Sequence, residues 1–116
     1  MKRYRYPQSI KSFKSYFPKA WEAYDMLEDA CYQDGPLGEK TCRLIKMAVT
    51  ACALMERSTK VHIQLAMEAG ATEAEIRQAM LMILTSRGFP GTVIALQWAD
   101  EVITERQPKR KARPKR

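Results

Sequence analysis

Long apolar runs are missing from this chain. Its most hydrophobic stretches, Met47 to Met55 and Met80 to Leu84, fall far short of the roughly 18 residues that cross a bilayer. The N-terminus carries the charges of a secretory leader with no apolar segment behind them, so the chain reads as cytoplasmic, with no membrane partner. Cysteine is scarce as well: Cys31, Cys42 and Cys52 are an odd number at no metal-ligand or redox spacing. This argues against a disulfide framework and reads instead as three reduced core thiols. With a single histidine beside them, no metal and no cofactor is expected.

What is present fits one soluble domain. A chain of 116 residues supports one core, and 46% hydrophobic with 28% charged residues is ordinary for a globular protein. The net charge of +7 is unevenly placed. Residues 1–19 hold six basic residues and no acid, and residues 106–116 hold seven and no acid, which leaves the body at −6. Three segments follow: a basic aromatic arm over 1–18, a helical domain over 19–107, and a basic tail over 108–116 that has nothing apolar to bury.

In the arm, basic residues alternate with Tyr4, Tyr6, Phe13, Tyr16 and Phe17, while Pro7 and Pro18 rule out a long helix. Such an arm docks its aromatics on its own body or a neighbouring subunit, or, with the tail, gives weak nucleic-acid binding through phosphate contacts and stacking.

Helical periodicity governs the rest. The spacing predicts a helix over 19–33, stopped by Asp34-Gly35-Pro36, and a second from Gly38 into the mid-fifties that is apolar around most of its circumference. Ser58 or Thr59 can cap a third helix, and Gly70 suits its left-handed end. Thr72-Glu73-Ala74-Glu75 is a capping box that opens a helix over 73–86. Arg87 to Gly91 is a tight break, Thr92 can cap a fifth helix, and Pro108 ends it. Two helices without a full polar face imply an all-α fold assembled as an oligomer.

The chemistry-bearing stretch runs from Cys52 to Thr72. Ser58 and His62 are four apart and share a helical face with Met55. Arg43, Arg57 and Lys60, with free amides at the helix start near Ser58, would form an anion site if they converge. Cys52 precedes His62 by ten residues, which along one straight helix is about 15 Å and roughly 80° off-face.

Residues 37–98 resemble the carboxymuconolactone decarboxylase family, which includes the alkylhydroperoxidase D-like proteins. The matching pieces are Leu37-Gly-Glu-Lys-Thr-Cys-Arg-Leu-Ile45, then His62-x-x-x-Ala66-x-x-x-Gly70-Ala71-Thr72-x-x-Glu75-Ile76, then Gly88-x-Pro90 with the closing helix. The resemblance implies an alkylhydroperoxidase D-like helical bundle, assembled as a dimer, trimer or hexamer. It also implies, in the redox branch, a Cys-x-x-Cys pair ahead of the histidine and a glutamate nineteen residues before it. Here those positions hold Met55, Ser58 and Arg43.

Both thiols and the acid are replaced. The decarboxylase branch does not depend on that pair, and for it the resemblance implies a pocket for a small carboxylate or lactone. Its chemistry needs a cation to hold the carboxylate and an acid/base to protonate the carbanion or enolate. The expected site is therefore His62 as acid/base with Ser58, and Arg43, Arg57 and Met55 on the substrate. Two alternatives stay open: a thiol peroxidase using Cys52, or a non-catalytic oligomer whose basic ends bind nucleic acid.

Overall fold

The computed structural model of the chain describes residues 8–106, and the expectations for residues 1–7 and the 108–116 tail lie outside them. Seven helical segments follow one another among the described residues: α1 (Gln8–Tyr16), α2 (Pro18–Gln33), α3 (Glu39–Cys52), α4 (Glu56–Glu68), α5 (Glu73–Leu81), α6 (Leu84–Arg87) and α7 (Phe89–Arg106). The fold is all-α. Its core is a bundle of α3, α4, α5 and α7, filled by Met47, Ala51, Ile63, Ile76, Met80 and Trp98 with small alanines between them. Among the described residues, no helix is long and apolar enough to cross a membrane.

The two N-terminal helices stand apart from this bundle. Neither α1 nor α2 buries a single residue. In the arm the rings of Phe13 and Phe17 pack on each other at 5.4 Å, and Arg57 reaches Ser9 at 3.5 Å.

The reversal between α3 and α4 takes three residues. Leu54 adopts a left-handed φ of 57°, which lets the Leu54 amide bond to Ala51 and the Met55 amide to Thr50. This is the double-bonded helix end usually built on glycine, and a leucine there carries a steric cost of roughly 1–2 kcal/mol. Gly70 builds the same motif at the end of α4, with the Gly70 amide on Met67 and the Ala71 amide on Ala66.

Several helix boundaries differ from expectation. Because the first reversal is so short, Met55 is the N-cap of α4, and Ser58 and Thr59 lie inside the first turns rather than capping them. The Thr59 hydroxyl turns inward and donates to Thr50 at 3.1 Å. The capping box of Thr72 and Glu75 forms with both reciprocal bonds, at 3.1 and 2.8 Å. The helix it opens is interrupted at Met82 and Ile83, where the bonds tighten to three-residue spacing and Ile83 turns into the core. The closing helix begins at Phe89, a turn earlier than expected. The Thr92 hydroxyl bonds back to the Gly88 carbonyl at 2.8 Å instead of capping. The thiols also depart from expectation: Cys31 is exposed, and Cys42 and Cys52 are only half-buried.

Candidate functional site

The site is built on the α3–α4 hairpin. Thr50 faces Thr59 through their hydroxyl bond, so stepping three residues back on α3 and three forward on α4 sets His62 level with Met47. Lys46 and Arg43 then fall within about one turn of the imidazole.

The His62 ring is half-buried. Its Nδ1 is sealed from solvent with no hydrogen-bond partner, and no bond to Nε2 occurs among the described residues. Burial, reinforced by the positive charges of Lys46 and Arg43, lowers its pKa from 6.5 to about 4. Loss of hydration and two nearby cations both disfavour the imidazolium. At neutral pH His62 is therefore an uncharged ring facing a positive field.

Arg43 is held from α2. Its guanidinium donates to the Tyr32 hydroxyl at 2.8 Å, lies 4.1 Å from that ring's centroid, and approaches the Glu28 carboxylate at 3.9 Å. Glu28 thus pairs with Arg43 rather than with His62. Burial keeps the Tyr32 phenol protonated, against the opposing pull of Arg43, and burial with the Glu28 charge does the same for Tyr24.

Between α2 and the outer face of α3 runs a groove of about 390 Å³. Leu27, Leu37 and Ile45 give it apolar walls, while Tyr24, Glu28, Tyr32 and Lys46 add polar groups. The Lys46 ammonium is exposed and forms no ion pair among the described residues. It lines the groove, whose walls do not include His62, and its charge acts on the imidazole through space.

The other expected residues are distributed more widely. Ser58 is half-buried one turn before His62, and its hydroxyl makes no hydrogen bond among the described residues. Met55 is half exposed at the N-cap of α4. Cys52 closes α3 at the edge of the core. Because the chain reverses at 53–55, its axial offset from His62 is about five residues, or roughly 8 Å, instead of the 15 Å of a single helix.

Arg57 and Lys60 line a different depression, with Val61, Gln64, Val102 and Glu105. Lys60 bridges Glu101 at 2.8 Å and Glu56 at 3.0 Å, and these bonds raise its pKa. A lysine so engaged has its charge committed. The cations that act on His62 are Arg43 and Lys46.

Glu28, Tyr32 and Lys46 are absent from the site expected from the amino-acid sequence. Tyr24, Glu28 and Tyr32 recur every four residues along α2, which places them on one helical face. That stripe was a usable signal. Among the described residues, no group of three or more histidine, cysteine, aspartate or glutamate side chains is placed to hold a metal ion.

Comparison with known proteins agrees with this architecture. An uncharacterized protein of Methanocaldococcus jannaschii is 30% identical over 95 residues, covering 82% of this chain and 89% of the relative. The profile of the carboxymuconolactone decarboxylase family matches residues 16–101, from the end of the arm through most of the last helix. By that match, this chain belongs to the carboxymuconolactone decarboxylase family.

Proposed function

We propose that the protein is a non-redox member of its family that binds and transforms a small carboxylate or lactone, with His62 as acid/base. One observation carries the reading: a neutral, unpartnered histidine set beside two cations. With a pKa of about 4 the free ring is unprotonated and only weakly basic at neutral pH, and a carboxylate docked on Lys46 offsets the positive field. The proton affinity of His62 then rises, which equips it to hold a proton and return it to carbon. Loss of carbon dioxide from a carboxylated lactone needs this combination, an anion site and a proton donor for the carbanion or enolate. The apolar walls of the groove suit a small carbon skeleton.

In this reading Ser58, one turn before His62 on α4, and Met55 at that helix's N-cap flank the histidine, and Arg43 holds the groove-lining Tyr32. The redox alternative has less support, since Cys52 has no second thiol at the family's spacing. The chain also assembles with copies of itself in this reading. Met82 and Phe89 are 66% and 70% exposed, and Ile45 and Val49 leave the outer face of α3 apolar. Such surface is characteristic of an interface.

The test is carbon dioxide release from a panel of small carboxylated lactones. Turnover that His62→Ala lowers at least 100-fold and Lys46→Ala weakens mainly through KM supports the assignment. A rate unchanged by His62→Ala removes the histidine from the mechanism.

A further inference from the structure

Two of the three thiols line the same groove, one from each side. Cys31 lies on the last turns of α2 and is exposed, while Cys42 lies on the first turns of α3 and is half-buried. The thiol of Cys42 faces the Leu37 carbonyl at 3.6 Å. Their immediate neighbours, Tyr32 and Arg43, already touch across the gap at 2.8 Å. Cys52 is placed elsewhere, against the core.

We propose that Cys31 and Cys42 are a redox-responsive thiol pair that closes the α2–α3 groove when a hydroperoxide oxidises it. The exposed Cys31 reacts first. Its thiolate attacks one oxygen of the hydroperoxide, the O–O bond breaks, and the alcohol (water, for hydrogen peroxide) leaves with a proton from solvent. Cys31 becomes a sulfenic acid, oxidised by two electrons. Cys42 then attacks that sulfur, hydroxide departs and takes up the Cys42 proton as water, and a disulfide remains.

A disulfide needs its Cα atoms within about 7 Å, so the walls of an open groove must approach each other. The fold permits this movement. No residue of α2 is buried, so the helix is not locked into the core. It joins α3 through residues 34–38, where Gly35 and Gly38 have open space around them. Both cysteines lie within about one turn of that connection, so the hinge for this closure lies at its base. The effect on ligand binding rests on the groove being the binding site proposed above, whereas formation of the disulfide does not.

The experiment uses the full chain, fully reduced and dilute, treated with hydrogen peroxide, alkylated and digested. The expected product is a Cys31–Cys42 linked peptide, reversible by dithiothreitol, with Cys52 still alkylated. In Cys42→Ser the link disappears and dimedone labels Cys31. Three alkylated thiols after excess peroxide, an intermolecular Cys31–Cys31 dimer, or a link through Cys52 would each overturn the pairing. Closure is read separately with a fluorescent apolar anion, anilinonaphthalene sulfonate. Oxidation should weaken the groove-dependent part of its binding, defined as the part lost in Lys46→Glu, at least fivefold. In the wild type dithiothreitol should restore that binding, and peroxide should leave the binding of Cys42→Ser at that variant's own untreated level; a disulfide that leaves the wild-type binding unchanged refutes closure.

Discussion

Acid should destabilise this protein through His62 in a defined window. The folded chain holds the ring at a pKa of about 4, against the ordinary 6.5 expected when unfolded. Between those two values the unfolded chain binds a proton that the folded chain refuses, so stability falls as pH drops from 6.5 towards 4. Above 6.5 both states are neutral at this position, and below 4 both are charged, so the contribution is flat outside the window. At about 1.4 kcal/mol per pH unit the full interval sets a ceiling of roughly 3 kcal/mol. The ring keeps some solvent contact, which brings the expected loss to about 2 kcal/mol. Urea unfolding of the wild type and His62→Gln at pH 7, 6, 5 and 4.5 measures it. Carboxylates such as Glu75 and Glu101, whose pKa values are lowered by their partners, titrate in both proteins and cancel in the difference. The wild type should lose about 2 kcal/mol more than the variant by pH 4.5. Parallel curves would mean that His62 is not held neutral by its surroundings, and the electrostatic argument would fall.

Two further perturbations test the hairpin that carries the site. The Thr59 hydroxyl is fully buried and bonds Thr50, which in turn donates to the Lys46 and Met47 carbonyls. Thr50→Val should therefore cost about 1–3 kcal/mol in urea unfolding, and adding Thr59→Val should recover most of it, because no buried hydroxyl is then left unpaired. At the two left-handed helix ends the signs should oppose. Leu54→Gly should be neutral or stabilising by up to about 1 kcal/mol, while Gly70→Ala should cost about 1 kcal/mol, both read from thermal melts.

These positions also show where the amino-acid sequence was readable. The capping box at Thr72 and the helix end at Gly70 were legible because local chemistry alone demands them. The reversal at Leu54 was not, since leucine is a poor left-handed residue and only the surrounding bundle holds it there. Ser58 and Thr59 looked like caps for the same reason of composition, yet the short reversal had already started the helix at Glu56. His62 was visible as the candidate acid/base through the family's spacing. The charges that act on it, Lys46 and Arg43, come from another helix, and their approach is a matter of packing register that no local pattern states. Apolar neighbours in sequence mark all three cysteines as core residues, but α2 contributes nothing to the core, which leaves Cys31 exposed.

Because the chain has one histidine, the Hε1 proton of His62 gives a resonance that needs no assignment. Its titration by NMR, alone and with saturating carboxylated lactone, tests the central claim of a neutral acid/base beside an anion site. The midpoint should lie near 4 in the free protein, and bound carboxylate should raise it by about one pH unit or more as the field of Lys46 is offset. A free midpoint near 6.5, or one near 4 that saturating ligand leaves unmoved, would contradict the claim.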